Sequence, residues 1–374
     1  MTTFFFRRSV EKAFQLDEMP TLSLNPSKPL DATPPFVTSA VDDVMYIVNQ
    51  VIQRSLATSQ RAVIASVVPT VGRVLGSDFV GMIQRKMRDE VYPRAAIQGA
   101  LPPEDKIIAF LVLINNLDVA TEYLNRIVNS HASTITSADS EKPSLSDTFP
   151  FGHDATFVAT TTQSLSTTFT AKTSELINDG ISVTFHQVIK PRIRPILSEA
   201  FKDIDYQPSS ASEVDSDADD ADDGDGTTAN ADGTSAAASL VRTRFDRGWS
   251  ALTRPIKRLL TPSTFEKLLA TTLPYLSKAL EKRIWGYYGR VNELGAVRLE
   301  RDIAGIVAAA VAVGGRYALR DNFLKCTQMV VIMNMEEDEW DEVAKMEGDG
   351  AADGEAWVLD KSERQRARAI VERG

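Results

Sequence analysis

The sequence predicts an all-α protein made of stacked helical bundles. Apolar residues recur at helical spacing through most of the chain, and no segment alternates apolar and polar residues for long enough to form a strand. Hydrophobic residues make up 43% and charged residues 25% of the 374 positions, which is the balance of a globular protein. We expect two bundle domains, residues 1–206 and 240–374, joined by a disordered acidic linker at residues 207–239.

The first domain should begin with helices separated by a proline-rich loop. Five prolines between residues 20 and 36 predict that loop, because proline ends helices and keeps the preceding residue extended. The stretch from Ile107 to Ile114 is apolar on nearly every face, which is typical of a helix at the centre of a bundle. The helices predicted up to this point cover residues 4–19, about 39–56, 62–92 and 104–129.

The apolar stripes of three segments indicate one core. We expect it to be centred on Val44, Val48, Ile52, Phe110, Leu111, Ile114, Leu117 and Phe169. The segment that contains Phe169, residues 155–189, is rich in threonine, a poor helix former, yet its helical period extends far enough to predict a helix. Residues 131–150 should be a loop. Pro191 and Pro195 predict a kink or break between Lys190 and Pro195.

The linker carries most of the net charge. Eight acidic residues and no basic residue lie between residues 213 and 225, so the rest of the chain is nearly neutral although the formal charge is −10. With almost no apolar side chain larger than alanine, this stretch cannot offset the entropy of ordering. A second flexible loop is expected at residues 348–354. The helices of the second domain are predicted at about residues 240–260, 262–288, 300–313, 317–335 and 361–371.

Several classes of protein are disfavoured. No basic field points to nucleic acid. Cys326 is the single cysteine, so no intrachain disulfide can form. The longest weakly polar run, residues 303–315, is shorter than the roughly 20 residues that a membrane-spanning helix needs. We therefore expect no spanning segment and at most a peripheral association with membranes.

Catalytic and metal-binding patterns are mostly missing. The phosphate-binding, dinucleotide-binding, nucleophile-elbow and zinc-protease motifs are absent. His131, His153 and His186 lie on separate segments, which disfavours a zinc site. The aspartates that begin at Asp215 fail the EF-hand pattern, because its sixth and twelfth positions hold Asp220 and Gly226 instead of glycine and glutamate. No cofactor, metal or catalytic residue is predicted.

Two further features have simple explanations. Cys326 has no obvious histidine partner, so we interpret it as a packing thiol. The segment from Lys190 to Pro195 carries three positive charges and could contact anionic lipid. Lipid-binding clusters usually contain about 4–8 basic residues, so the helix break is the simpler interpretation.

Six short motifs, in their order along the chain, resemble the C-terminal half of one family. They are Leu16-Asp17-Glu18-Met19-Pro20 after a basic-aromatic helix, Thr38-Ser39 with Val41-Asp42-Asp43-Val44, Leu113-Ile114-Asn115-Asn116-Leu117-Asp118-Val119, Ile189-Lys190-Pro191 with Pro195, Asn292 with Leu294-Gly295-Ala296, and Arg320-Asp321 through Gln328-Met329 to Asn334-Met335-Glu336. The family is that of the fourth subunit of the conserved oligomeric Golgi complex. The acidic stretch resembles an insertion relative to that family, and Ala304 stands where the family pattern has a basic residue.

The resemblance implies a function that the helical period alone does not. It implies an elongated helical rod that serves as a non-catalytic subunit of a multisubunit vesicle tether in retrograde transport within the Golgi. Its partners would be sibling subunits, SNAREs with their syntaxin-binding regulators, and Rab GTPases, on the cytoplasmic face of Golgi membranes. The alternatives are a subunit of another helical-rod tether, such as exocyst, and a helical enzyme with an unrecognised site.

One charged cluster is the candidate interaction site. We expect it at the ends of two neighbouring helices, where it would orient the terminal domain or meet a partner. The simpler alternative is a set of solvated helix ends with an ion pair worth under about 1 kcal/mol. The cluster comprises Arg301, Asp302, Arg320, Asp321, Glu336 and Glu337.

Overall fold

The computed structural model describes residues 2–95, 100–132, 145–208, 239–345 and 357–372. Within these ranges the chain is helical and contains no strand; Val291 and Val371 form one isolated parallel bridge. The prediction of an all-α helical bundle is confirmed. Most of the predicted acidic linker and the loop at residues 348–354 lie outside the described residues.

The chain forms two compact units that alternate along the sequence. The first comprises Met1–Val188 and Pro255–Leu268, and the second comprises Ile189–Arg254 and Leu269–Gly374. This grouping differs from the predicted boundaries, because residues 189–206 belong to the second unit and residues 255–268 return to the first. Independent folding of residues 1–206 and 240–374 stays a prediction.

The first unit is built around one long helix, α5 (Glu104–Ala132), which contacts α2 (Ser39–Leu56) and α7 (Asp154–Thr184). All eight predicted core residues are buried, so this prediction is confirmed. The π-helical turns in this unit are Leu75–Phe79, Lys86–Glu90 and, after α7, Phe185–Ile189, whose last residue already belongs to the second unit. The helices are α1 (Thr2–Gln15), α2 (Ser39–Leu56), α3 (Arg61–Val74), α4 (Val80–Arg85), α5 (Glu104–Ala132), α6 (Leu145–Thr148) and α7 (Asp154–Thr184).

In the second unit, α12 (Leu324–Asn334) contacts both α11 (Glu293–Ala312) and α14 (Lys361–Arg368). Buried side chains of α11, among them Leu299, Ile303 and Ile306, form part of the core of the second unit. A 3-10 helix, Tyr317–Phe323, leads into α12. The helices are α8 (Lys190–Ala200), α9 (Leu240–Leu259), α10 (Pro262–Trp285), α11 (Glu293–Ala312), α12 (Leu324–Asn334), α13 (Glu337–Lys345) and α14 (Lys361–Arg368); the last residues of α9 and the first of α10 belong to the first unit.

Two local predictions are corrected by this fold. Of the kink or break expected between Lys190 and Pro195, the break is absent, because the π-helical turn Phe185–Ile189 passes directly into α8, and a kink stays a prediction. Pro191 is the second residue after this π-helical turn, and Pro195 lies inside α8. Helix α11 begins at Glu293 rather than near residue 300, because the side chain of Asn292 caps it. The short helices α6 and α13 were not predicted.

Two helical stretches, Arg61–Glu90 and Glu104–Ser130, are long and apolar enough to cross a membrane by length and composition alone. The expectation of no spanning segment rests on the shortness of the uninterrupted apolar runs, and it stays a prediction, because mean hydropathy over a longer window tolerates isolated polar residues. In the second stretch 72% of the most apolar window is buried inside the protein, and in the first 39%. The core helix of a soluble bundle has the same properties, so they do not assign a membrane span.

Candidate functional site

The six residues of the predicted cluster lie at three places in the second unit. Arg301 and Asp302 fall in the middle of α11 and not at its end, because the helix starts earlier than predicted. The exposed pair Arg320 and Asp321 precedes α12, whereas the exposed glutamates 336 and 337 follow it. The 11 residues of α12 span about 16 Å. A single charged cluster is thus not formed, and a role for these residues in docking stays a prediction.

Asp302 is the centre of a buried polar group. Its Oδ2 accepts a hydrogen bond of 2.8 Å from the hydroxyl of Tyr206, and both residues are 1% exposed. Nearby, the buried Arg298 donates a 3.0 Å hydrogen bond to the carbonyl of Asp205. Burial raises the pKa of the Asp302 carboxyl, against the opposing effect of hydrogen bonds from Tyr206 and Ser239. Burial also raises the pKa of the Tyr206 hydroxyl.

Like Asp302, Asn292 binds the described segment that ends at Pro208, here through its backbone. The backbone N–H of Asn292 donates to the carbonyl of Tyr206 at 3.1 Å, and its side-chain Nδ2 donates to the carbonyl of Pro208 at 2.9 Å. A Cβ on Gly295 would lie 1.8 Å from the carbonyl oxygen of Tyr206, so only glycine fits there. We call these residues, Tyr206, Asn292, Gly295, Arg298 and Asp302, the anchor site. It explains why the motif from Asn292 to Ala296 needs its asparagine and glycine.

The raised pKa of Asp302 predicts a pH-dependent effect of Asp302→Asn. Because the folded chain holds the Asp302 proton more tightly than the unfolded chain, this group contributes more to stability as the pH falls, and least at neutral pH. Asparagine keeps an acceptor for Tyr206 without the buried charge. The unfolding free energy of the variant relative to the original chain should therefore be highest at neutral pH and decline in acid. Urea denaturation at a series of pH values measures this difference in unfolding free energy. An advantage of the variant that grows in acid would contradict a raised pKa of Asp302.

Ion pairs join the last described helix, α14, to Lys325 of α12 and Glu337 of α13. The Nζ of Lys325 lies 2.6 Å from Oε1 of Glu363 and 3.9 Å from Oε1 of Glu281, and the hydrogen bond to Glu363 raises the pKa of Lys325. Arg368, only 7% exposed, donates to the carbonyls of Ile332 and Met335 and to the carboxylate of Glu337 at 2.8 Å. Glu337 of the predicted cluster therefore has a partner at the far end of α14.

A basic cleft lies where α8, α10 and the turn after α10 meet. Its volume is about 660 Å³, and it is lined by five cationic side chains and, among the described residues, by no carboxylate. At its edge the Nζ of Lys190 lies 5.4 Å from the ring centroid of Tyr275, another lining residue. Of these positive charges, the sequence drew attention only to those between Lys190 and Pro195, in α8. The five cations are Arg194, Lys278, Lys282, Arg283 and Arg290.

Two adjacent asparagines of α5 close the core of the first unit. The Nδ2 of Asn115 donates to the carbonyls of Phe36 and Leu259, at 3.0 and 2.8 Å, and its Oδ1 accepts from the N–H of Thr261 at 3.1 Å. The Oδ1 of Asn116 accepts a hydrogen bond from the backbone N–H of Thr38, and its Nδ2 donates to the Thr38 hydroxyl. Both asparagines are fully buried. Within the motif from Leu113 to Val119, Asn115 and Asn116 thus join α5 to distant segments by buried hydrogen bonds, and we call these two residues the polar latches. The sequence did not reveal this role.

The remaining candidates for chemistry have no catalytic surroundings. Cys326 is fully buried, its Sγ lies 3.5 Å from the carbonyl of Ser277, and burial raises the pKa of the thiol to about 12. This environment fits the predicted packing thiol. In the part of the chain that the structure describes, no group of three or more His, Cys, Asp and Glu side chains is placed to hold a metal ion. The acidic stretch that begins at Asp215 lies outside that part.

These features define the class: an all-helical bundle protein whose buried polar groups latch helices and loops together. Residues 110–366 match the family model "Conserved oligomeric Golgi complex subunit 4, C-terminal", and residues 1–87 match "COG4 transport protein, middle alpha-helical bundle". The chain belongs to the conserved oligomeric Golgi complex subunit 4 family, so the resemblance seen in its motifs is confirmed. Residues 88–109 lie between the two matches, and the acidic stretch falls inside the match at residues 110–366.

Curated relatives from distant organisms are similar to this chain over most of its length. Each carries the name "Conserved oligomeric Golgi complex subunit 4". The relative from Arabidopsis thaliana is 24% identical over 89% of the chain, that from Saccharomyces cerevisiae 26% over 71%, and that from Homo sapiens 21% over 90%. The matched regions cover 39%, 30% and 40% of those proteins. The chain therefore spans about two-fifths or less of the length of these relatives.

Proposed function

We propose that this chain is part of a non-catalytic subunit of a Golgi vesicle-tethering complex that acts in retrograde transport within the Golgi. The observation that carries the proposal is the match of two successive family models, residues 1–87 and 110–366, which together cover most of the chain. The same match disfavours the alternative that the chain belongs to exocyst.

The architecture supports a scaffold role. The polar latches of Asn115 and Asn116 and the anchor site fix loops against long helices with buried hydrogen bonds, which specify one arrangement of the backbone. Such bundles present stable outer faces to partners, because their cores tolerate little rearrangement. A tether needs that property more than it needs a pocket for a small substrate.

The partners follow from this function. Sibling subunits of the same complex are the first, followed by SNAREs with their syntaxin-binding regulators and by Rab GTPases. Nucleic acid is not proposed as a partner, since the chain outside the acidic stretch is nearly neutral overall. The chain would act on the cytoplasmic face of Golgi membranes as a peripheral protein.

The exposed charges on either side of α12 offer a test in cells. The guanidinium carbon of Arg320 lies 4.9 Å from the ring centroid of Tyr317. Arg320 and Glu336 are both exposed, so reversing either charge should leave the fold intact. In cells that lack the endogenous protein, full-length Arg320→Glu and Glu336→Lys variants should restore Golgi glycosylation less well than the original protein. Lectin binding to cell-surface glycans measures this effect.

Two variants of the same charge change serve as controls. Arg54→Glu and Glu175→Lys alter exposed residues of the first unit and should restore glycosylation fully. Normal glycosylation with folded Arg320→Glu and Glu336→Lys would discard docking at these residues. Normal glycosylation in cells without any of the protein would overturn the proposed function itself.

A further inference from the structure

We propose that the basic cleft of the second unit docks on a membrane surface rich in anionic phospholipid. The inference deepens the proposed peripheral association with membranes and rests on it. Five lining cations and Lys190 at the edge make six positive charges around a cavity of about 660 Å³. Polybasic surfaces that bind anionic lipid commonly carry about 4–8 such residues.

Most of these charges are available to a ligand. Arg194, Lys278, Lys282 and Arg290 are exposed, and none of them forms an ion pair with a carboxylate of the described residues. Arg283 differs, because its guanidinium lies 4.5 Å from the ring centroid of Phe201 and donates to the hydroxyl of Tyr287 at 3.3 Å. Arg283 is therefore held against aromatic side chains, whereas the other four cations line the cleft and are exposed to solvent.

None of the three carboxylates on the same two helices, Glu199, Glu266 and Glu281, lines the cleft. Glu281 lies beside Lys325 and Trp285 instead. Lys278 and Lys282 are four residues apart on α10, a spacing at which like charges on one helix face repel. An anionic surface over the cleft would relieve this repulsion, so the arrangement favours an anionic partner.

An exposed aromatic side chain distinguishes a membrane from other anionic partners. The turn after α10 carries Tyr287, which lines the cleft, and Tyr288, which is 57% exposed. Gly289 of this turn has a φ of +67°, which suits glycine. Tyrosine is enriched at the interface between membrane and water, where its ring enters the headgroup layer and its hydroxyl stays hydrated. Cations beside a protruding tyrosine therefore fit a bilayer surface better than an acidic peptide.

Vesicle binding by the 374-residue chain tests the proposal. The chain should sediment with phosphatidylcholine vesicles that contain phosphatidylserine and not with phosphatidylcholine alone. Each lysine near such a surface strengthens binding about five-fold, so Lys278→Ala with Lys282→Ala should weaken it about 25-fold. Tyr288→Ala should weaken binding without changing its dependence on salt. Thermal melting should be unaltered, because these side chains are exposed.

The matched control removes the same charge elsewhere in the second unit. Lys345→Ala with Lys361→Ala changes two exposed lysines that do not line the cleft, and it should bind like the original chain. Equal binding by both double variants, or equal binding to both kinds of vesicle, would overturn the proposal. It would also be overturned if a peptide of residues 209–226, and no vesicle, bound in a manner sensitive to Lys278 and Lys282. None of these results depends on sibling subunits, so the tethering function is tested separately.

Discussion

Replacing Leu111 with aspartate is expected to abolish cooperative folding of the first unit. Leu111 is 1% exposed and lies on α5, the helix that contacts α2 and α7. Truncating a buried leucine costs about 2–5 kcal/mol, and burying a carboxylate there adds a penalty of several kcal/mol or forces it to take up a proton. Together these terms approach the total stability of an ordinary domain, about 5–15 kcal/mol. Circular dichroism during thermal melting measures the outcome.

A leucine outside the core provides the matched control. Leu101 is 46% exposed in the segment before α5, so Leu101→Asp should melt within a few degrees of the original chain. If Leu111→Asp melted like Leu101→Asp, α5 would not be the centre of the bundle.

Substituting Gly295 by alanine is expected to destabilise the second unit by about 3 kcal/mol or more, at the upper end of overpacking effects. The added Cβ would lie 1.8 Å from the carbonyl oxygen of Tyr206 and 2.5 Å from its carbonyl carbon. This backbone cannot easily move away, because Asn292 binds the same carbonyl and Asp302 binds the Tyr206 hydroxyl. Urea denaturation followed by circular dichroism should show a lower midpoint, since the anchor site must open.

The same substitution at Gly81 separates a steric effect from a change of helix propensity. Gly81 lies within α4, and an added Cβ meets no atom within 4 Å. Gly81→Ala should therefore stabilise the chain by about 0.5–1 kcal/mol. Equal midpoints for the two variants would show that the close approach between Gly295 and Tyr206 does not exist in solution.

The helices and the core of the first unit could be predicted because the helical period records which face of a helix is buried. The stripe of Val44, Val48 and Ile52 on α2 and the apolar run of α5 required no knowledge of their partners. The start of α11 was missed because its capping residue, Asn292, stands eight residues before the predicted helix. That error placed Asp302 at a helix end.

The polar contacts could not be predicted, because a period does not identify partners that are far apart in the sequence. Asp302 binds Tyr206, 96 positions earlier, and Asn115 binds Leu259, 144 positions later. An isolated aspartate or asparagine in a helical stripe is equally compatible with solvent. The basic cleft was missed for the same reason, since Arg194 and Lys278 meet only in the folded second unit.

Isolation of the full-length protein from its own cells, followed by mass spectrometry of the proteins that co-purify, tests the proposed tethering function most directly. If the protein is a subunit of the Golgi tether, sibling subunits of the conserved oligomeric Golgi complex should be recovered in amounts comparable to its own. Recovery of exocyst subunits instead, or of no stable partner under conditions that keep such complexes intact, would contradict the proposed function.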